Sequence, residues 1–287
     1  MGGPAMIAGG GLGNYHPKEV GPMSFQTTNG VVDVLVKDEE SAVAVAKQYL
    51  SYFQGAIEQW EAADQRMLRH LIPENRRRMY NIRTLIETLA DHGSVLELRN
   101  AFGVGIITSF VRIEGRPLGL VANNPAHLGG AIDSDAADKC ARFMQLCDGF
   151  GIPVLSLVDT PGIMVGPDAE ATGTVRHAAR LFVTGSKLTV PIISIMLRKA
   201  YGLGAQAMCG GSFAVPVLSA AWPTGEFGAM GLEGAVQLGY RKELEAIESD
   251  EERQALYDKM VAELYERGKA LSMASFLEID EVIDPAE

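Results

Sequence analysis

The stretch that decides both the fold and the chemistry of this chain is Arg198-Lys-Ala-Tyr-Gly-Leu-Gly-Ala-Gln206. It follows an apolar run typical of a buried strand, Pro191-Ile-Ile-Ser-Ile-Met-Leu197, and precedes a segment typical of a buried helix. A glycine-rich turn between a strand and a helix leaves backbone N–H groups unpaired and pointing in one direction. We therefore predict that this turn holds an enolate-like or urea-like oxygen as it gains charge, without a side-chain nucleophile.

Length and composition indicate an ordinary globular protein. The 287 residues suffice for one large or two modest domains, and 47% of them are hydrophobic. A net charge of −11 argues against general affinity for nucleic acid or anionic lipid. Cys140, Cys147 and Cys209 have no zinc-site or redox spacing, so we interpret them as reduced core residues of a cytoplasmic protein. No apolar run reaches the ~18 residues that span a bilayer.

The first 93 residues have no regular alternation of strands and helices. Residues 31–36 read as a short strand, and Asp38 opens a helix that continues to Gly55. Residues 56–81 are charged and helical in character, and Arg83–Asp91 reads as a further helix.

From about residue 94 the chain alternates strands with helices, which predicts an α/β layered core. Strands are predicted at Val95–Leu98, Val104–Ile113, Pro117–Ala122, Pro153–Val158 and Pro191–Leu197. Helices are predicted at Ser134–Phe150, Thr172–Thr184, Gly204–Gly210 and Glu243–Leu271.

Two further strand-to-helix connections are candidates for site-lining loops. The first contains Gly129 and Gly130, whose N–H groups would point at a ligand, although the local sequence alone favours a plain turn. The second is Asp159-Thr-Pro161-Gly162, at the carboxyl end of an apolar strand, where ligands of α/β sheets bind. We expect Asp159 to cap its own loop by an Asx turn and the loop to line the site.

Other chemically suggestive residues favour structural interpretations. His177 is a possible general base, but a helical histidine between Arg176 and Arg180 is more often solvated or packed. The arginine run 76–78 suits phosphate but reads as a solvated linker, and Tyr201 fits a groove or the core equally well. No nucleophile elbow, Walker motif or zinc-protease motif is present, and we predict no metal site.

Several segments together resemble the carboxyltransferase β subunit of biotin-dependent acyl-CoA carboxylases, the propionyl-CoA and acetyl-CoA carboxylase type within the crotonase-like superfamily. The order and spacing of these segments match over nearly the whole chain. They are Gly115-Arg-Pro117, Ala122-Asn-Asn-Pro125, Asp138-Lys-Cys-Ala-Arg-Phe143, Asp159-Thr-Pro-Gly162, Arg198-Lys-Ala-Tyr-Gly202, Ala221-Trp-Pro-Thr224 and Met230-Gly-Leu-Glu-Gly-Ala235.

The resemblance implies a crotonase-like ββα spiral, and it implies a role for each of several site residues. It implies that two backbone N–H groups, those of Leu203 and Gly204 between Gly202 and Ala205, hold the biotin ureido oxygen beside Tyr201. The family's usual glycine is replaced by Leu203, so a side chain there would narrow the site or change the backbone. Biotin would arrive on a separate carrier domain, and acyl-CoA would accept the carboxyl group.

The resemblance also implies a division of the chain. Residues 1–55 would be the end of an N-terminal carboxyltransferase lobe, 56–93 a helical linker, and 94–287 the complete C-terminal, biotin-binding lobe. The rest of the N-terminal lobe, which holds most of the acyl-CoA site, would be supplied in cis or in trans. The expected partners are a biotinylated carrier protein, a biotin carboxylase and further copies of the chain. The expected role is in fatty acid metabolism.

Three functions stay open from the sequence. The first is carboxylation of acyl-CoA through an enolate, and the second is a biotin-dependent decarboxylase or transcarboxylase that runs related chemistry. The third is a non-catalytic assembly module, because the chain alone would lack the acyl-CoA lobe. Acyl chain length and oligomer size are not readable.

Overall fold

A mixed sheet organises the computed structural model, which describes residues 2–287. The first three strands pair antiparallel, and the next strands continue the sheet in parallel. The strands are β1 (Leu96–Leu98), β2 (Ile106–Ile113), β3 (Arg116–Asn123), β4 (Val154–Thr160), β5 (Ile192–Tyr201), β6 (Leu218–Ala221), β7 (Glu226–Gly228) and β8 (Glu281–Val282). Their order is β1-β2-β3-β4-β5-β6-β8, and β7 pairs with the end of β5.

Helices cover both faces of the sheet and continue at both ends of the chain. They are α1 (Pro4–Gly9), α2 (Met23–Thr28), α3 (Glu39–Ser51), α4 (Ile82–Leu89), α5 (Ser134–Gly149), α6 (Pro167–Ala171), α7 (Thr174–Gly185), α8 (Gly202–Met208), α9 (Leu232–Gly239), α10 (Arg241–Glu245), α11 (Asp250–Arg267) and α12 (Ala270–Ser275). Within residues 2–287, no helix combines the length and the apolar character that crossing a membrane requires.

The alternation of side chains along each strand divides the core into two layers. Phe110 and Val121 belong to the layer that α5, α7 and α8 cover. Their neighbours Val111 and Leu120 belong to the opposite layer. Because successive side chains of a strand point to opposite faces, strands buried on both faces carry apolar residues at nearly every position. The sheet is therefore the middle of three layers.

The predicted α/β core is confirmed from residue 94 to the helix after β5. All five predicted strands and the first three predicted helices are present within a few residues of the expected bounds. Each of the three cysteines is free and buried, as expected. Strands β6, β7 and β8, of two to four residues each, were not predicted.

The predicted strand at residues 31–36 is wrong. This segment is irregular in the structure and pairs with no strand. It is held by a hydrogen bond in which the Arg99 N–H donates to the carbonyl of Asp33 at 2.7 Å. A β-like apolar alternation forms a strand only where a neighbouring strand completes the ladder.

The predicted helix from Glu243 to Leu271 is interrupted twice. Between α10 and α11, the guanidinium of Arg253 donates to the carbonyls of Leu244 and Ile247, which ends the first segment. At Gly268 a Cβ atom would lie 2.2 Å from the carbonyl oxygen of Phe227 in β7. The chain must leave the helix there because strand β7 passes directly against it.

The segment from residue 56 to residue 81 is less helical than predicted. It contains one 3₁₀ helix, Gln65–His70, and is otherwise irregular. Leu68, Ile72 and Tyr80 are buried in the layer opposite α5. The segment therefore covers this face of the sheet. Most of its charged side chains are exposed, but Arg76 is only partly exposed.

Parallel pairing brings the ends of β3, β4 and β5 to one edge of the sheet. Asn123, Thr160 and Tyr201 are the last residues of these strands. The three loops singled out in the sequence all leave this edge, which places them side by side.

Gly119 allows α5 to pack closely against β3. A Cβ atom at this position would lie 2.3 Å from the Cys147 sulfur and 3.2 Å from the Phe143 ring. We expect Gly119→Ala to lower the free energy of unfolding by about 1–3 kcal/mol through overpacking. Urea denaturation of Gly119→Ala, Cys147→Ala and the double variant tests this. The double variant should be more stable than the sum of the single losses predicts, and strict additivity would contradict the account.

Candidate active site

The turn after β5 is a direct junction between a strand and a helix. Tyr201 is extended, with φ −106° and ψ 133°, and Gly202 is already the first residue of α8. Gly202 has φ +54°, and a Cβ atom there would lie 2.6 Å from the carbonyl oxygen of Ala229. Glycine is required at this position because a side chain would meet both backbone strain and a fixed carbonyl.

The start of α8 offers backbone donors. No side chain caps it, and the N–H groups of a helix's first turn have no partners inside the helix. Leu203 and Gly204, the predicted donors, are its second and third residues. The Leu203 side chain is 61% exposed, and Gly202 alone carries the left-handed conformation. The backbone at Leu203 therefore does not require glycine, and the residue is exposed.

The loop after β4 packs directly on this turn. A Cβ atom at Gly204 would lie 2.6 Å from both Cα and C of Gly162, so the two backbones are in contact. The loop is closed locally by Thr160, whose hydroxyl accepts from the Gly162 N–H at 3.1 Å. Gly162 and its neighbour Pro161 therefore lie beside the predicted donors, and Ala205 is buried behind them.

The Gly129–Gly130 connection lies on the other side of the same loop. The Ile132 N–H donates to the carbonyl of Gly162 at 3.0 Å. The Gly130 N–H is already used, because it donates to the His127 carbonyl at 2.9 Å. A Cβ atom at Gly130 would lie 2.2 Å from the Asp159 carbonyl oxygen, whereas the one at Gly129 would meet open space. Gly130 is thus needed for packing, and Gly129 is the more accessible of the two.

Asp159 does not cap its own loop, which corrects the sequence interpretation. Its carboxylate is buried and lies 3.0 Å from Nη2 of Arg198 and 3.1 Å from Nζ of Lys199. It also accepts from the Lys199 backbone N–H at 3.1 Å. This buried carboxylate pairs with two cations and so connects the end of β4 to the end of β5. Removal of any one partner would leave an uncompensated charge.

A second buried group supports Tyr201. Its hydroxyl donates to Oε1 of Glu226 at 2.7 Å, and both side chains are almost fully buried. Burial raises the pKa of the Tyr201 hydroxyl, and the neighbouring Glu226 carboxylate raises it further. Burial also raises the pKa of Glu226. Tyr201 is thus a supporting residue beneath the turn, with its ring packed in the core.

The arginine run 76–78 belongs to this support and is not merely a solvated linker. Arg76 lies 3.7 Å from Glu226 and also pairs with Glu233. The carbonyl of Arg78 accepts a hydrogen bond from Nη1 of Arg198 at 2.7 Å. The 56–81 segment therefore contacts Arg198 of β5, the strand that leads into the turn, and also pairs with Glu226, which holds the Tyr201 hydroxyl. A triple arginine in a linker gives no local signal of this contact.

His177 takes part in an ion-pair cluster between two helices. Its Nδ1 lies 2.8 Å from Asp138 of α5, and Arg180 lies 2.9 Å from the same carboxylate. These contacts join α5 to α7, which agrees with the packing interpretation of this histidine. Among residues 2–287, no group of three or more histidine, cysteine or acidic side chains could hold a metal ion.

The chain belongs to the carboxyl transferase domain family, whose model matches residues 14–287. It is 36% identical over 261 residues to the propionyl-CoA carboxylase beta chain of Saccharopolyspora erythraea, covering 85% of this chain and 48% of that relative. The chain spans about half the length of the curated relatives it matches.

Solved structures agree with this assignment. A single-chain, multi-domain long-chain acyl-CoA carboxylase matches with a TM-score of 0.92 and 57% identity, over 100% of this chain and 28% of that chain. The transcarboxylase 12S crystal structure, a hexamer with methylmalonyl-CoA bound, matches with a TM-score of 0.86 and 31% identity, over 99% and 56%. These matches confirm the predicted crotonase-like α/β fold.

The Gly202 junction gives a stability prediction. Gly202→Ala should lower the free energy of unfolding by about 1–3 kcal/mol, because alanine is strained at φ +54° and its Cβ meets the Ala229 carbonyl. Gly239→Ala is the matched control, since a Cβ there meets nothing within 4 Å. Urea denaturation compares the two variants. Equal stability of Gly202→Ala and the control would contradict the required conformation.

The ion pairs of Asp159 give a second prediction. Asp159→Asn should cost about 3–5 kcal/mol of unfolding free energy, because the buried Arg198 and the partly buried Lys199 then lose their shared carboxylate. The control is Asp64→Asn, which breaks an exposed pair with Arg66 and should leave stability unchanged. Denaturant titration at neutral pH measures both. Losses of similar size in the two variants would contradict a buried charge network.

Proposed function

We propose that this chain provides the biotin-binding side of a carboxyltransferase that moves a carboxyl group from carboxybiotin to the α-carbon of an acyl-CoA. One observation carries the proposal. The helix after β5 begins without a cap, directly at the strand end, so the N–H groups of Leu203 and Gly204 are available to an anionic oxygen. Membership of the carboxyl transferase family supports the assignment.

The donors fit a ureido oxygen because they are fixed and do not titrate. Bound biotin would supply the carboxyl group to be transferred and an oxygen that gains negative charge. The N–H groups of Leu203 and Gly204 would donate to that oxygen, and the positive end of α8 adds to the attraction. The close contact between Gly204 and Gly162 holds the donors in place before the ligand arrives. Tyr201 and Asp159 would support the turn from behind without touching the ligand.

The acyl-CoA site and the partners are also proposals. We place most of the acyl-CoA site on a further carboxyltransferase lobe, with residues 1–55 as the end of that lobe, 56–93 as linker and 94–287 as the biotin lobe. Helix α3 supports this division, since it contains no buried residue although Tyr49 packs on the core. Val43 of α3, which lies outside the α3 face made of Ala42, Val45, Ala46 and Tyr49, is more than half exposed, as expected of a helix that another surface covers.

A biotinylated carrier, a biotin carboxylase and further copies of the chain complete the proposed enzyme. The hexamer assembly of the matching transcarboxylase supports a homo-oligomer. The identity of 57% to a long-chain acyl-CoA carboxylase makes a long-chain acyl-CoA the first substrate to test, with propionyl-CoA as the comparison. A transcarboxylase is the second candidate function, favoured by the fold match to a transcarboxylase, and the same donors would serve it.

Backbone donors can be removed singly by proline. We expect Leu203→Pro, which deletes one N–H in the first helical turn where proline is tolerated, to lower carboxyl transfer by about 10²–10³-fold. Leu203→Ala keeps the N–H and should retain near-normal activity. The assay follows labelled carboxyl transfer from carboxybiotin to long-chain acyl-CoA and propionyl-CoA in the full-length enzyme, with circular dichroism to check the fold.

Two outcomes of this assay would contradict the proposal. The first is equal activity of the folded proline and alanine variants. The second is a wild-type enzyme that transfers nothing to any acyl-CoA. Transfer of a carboxyl group from methylmalonyl-CoA to biotin as the prevailing direction would favour the transcarboxylase. This chain without the further lobe should be inactive, and transfer by the chain alone would contradict the proposed division of the site.

A further inference from the structure

A cleft between α3 and α5 is separate from the candidate active site. Its volume is about 550 Å³, within the range of small-molecule sites. Its floor is formed by Leu98 of β1 and Thr108 of β2, which are paired in the sheet. None of its lining residues belongs to α8 or to the loop after β4.

Both helices present regular stripes of side chains to this cleft. Helix α3 contributes Ala42, Val45, Ala46 and Tyr49 at the spacing of one helical face. Helix α5 contributes Lys139, Arg142, Phe143 and Leu146 at the same spacing. The cleft is therefore apolar along its length and carries two cations on one wall.

Lys139 is the unusual member of this wall. The residue is 1% exposed, and its ammonium has no hydrogen-bond partner among residues 2–287. Burial lowers the pKa of Lys139 to about 8, although the carboxylate of Glu97 partly opposes this effect. A buried ammonium without a partner is costly, and such groups in proteins are normally paired.

The carboxylates near Lys139 already form ion pairs with other cations. Asp33, which also lines the cleft, lies 2.9 Å from Nε of Arg99. Glu97 accepts two hydrogen bonds of 2.8 Å from Arg83. Arg142 is exposed and makes no ion pair in the part of the chain described. Lys139 and Arg142, three residues apart on one helix face, are therefore the cations left to a ligand.

We propose that this cleft binds an unbranched aliphatic carboxylate, such as a fatty acid, with its carboxylate at Lys139 and Arg142 and its chain along α3. One anionic group matches the two cations on the α5 wall of the cleft that are unpaired within residues 2–287. The rest of the lining offers apolar contact and suits a hydrocarbon chain. The flexible lysine side chain allows its ammonium to reach a carboxylate in the cleft.

Binding of decanoate and of decan-1-ol to the chain, measured by isothermal titration calorimetry at pH 7, tests this site. Decanoate should bind saturably and at least about tenfold more tightly than the alcohol, because a charge-assisted hydrogen bond is lost in the alcohol. Lys139→Met and Arg142→Met should each weaken decanoate binding by about tenfold and leave the alcohol unchanged. Methionine keeps the length of the side chains without their charge.

Two further variants locate the binding. Ala46→Phe should abolish binding of both ligands by filling the cleft. Lys187→Met, which removes an exposed lysine outside the cleft, should bind as the wild type does. At pH 9, decanoate binding should take up protons in the wild type and not in Lys139→Met, because a bound carboxylate raises the pKa of the lysine above about 8. The other titratable groups around Lys139 and the cleft are Asp33, Tyr49, Arg83, Glu97, Arg99, Cys140 and Arg142.

Three results would overturn the proposal. They are the absence of saturable decanoate binding, equal affinity for decanoate and the alcohol, and affinity that neither Lys139→Met nor Arg142→Met changes. The site does not depend on the proposed carboxyl transfer, and these measurements need no enzymatic activity.

Discussion

Contact between the backbones of Gly162 and Gly204 is the constraint on which the candidate active site depends. There is no room for a Cβ atom between them, since one at Gly204 would lie 2.6 Å from Cα of Gly162. This contact fixes the first turn of α8 against the loop after β4. Because Gly202 turns the chain at once from strand to helix, the Leu203 and Gly204 N–H groups belong to the uncapped first turn of α8. A preorganised donor pair of this kind loses little free energy to reorganisation when charge develops on its ligand.

Charged groups are abundant around this turn, but they lie behind it. Asp159 joins Arg198 and Lys199 across the ends of β4 and β5, and Glu226 holds the hydroxyl of Tyr201. Such pairs add little net stability compared with apolar packing, yet they are sensitive to the loss of one partner. The Asp159 pairs connect the end of β4 to the end of β5. The turn itself presents backbone groups whose charge state does not change with pH.

The parts of the structure that local sequence patterns determine could be predicted. The apolar runs predicted β2 to β5, and the glycines after Tyr201 predicted the strand-to-helix turn. Long-range partners were not readable: Asp159 pairs with residues about forty positions further along the chain, and Tyr201 with Glu226 twenty-five positions away. The Asx-turn prediction for Asp159 was wrong for this reason, since the ion pairs replace the local cap. The apolar alternation at residues 31–36 was equally misleading, because no strand lies beside it. At Leu203, where the family's usual glycine is replaced, the backbone does not require glycine, because Leu203 is not in the left-handed conformation.

The central claim is that the α8 amides receive an anionic or ureido oxygen. Amide NMR of the chain labelled with ¹⁵N, titrated with free biotin, tests it most directly. The account predicts the largest shifts at the Leu203 and Gly204 amides, saturating together, with smaller shifts at Gly162 and Gly129. Shifts confined to residues away from this edge of the sheet, or saturable binding that leaves the Leu203 and Gly204 amides unmoved, would contradict it.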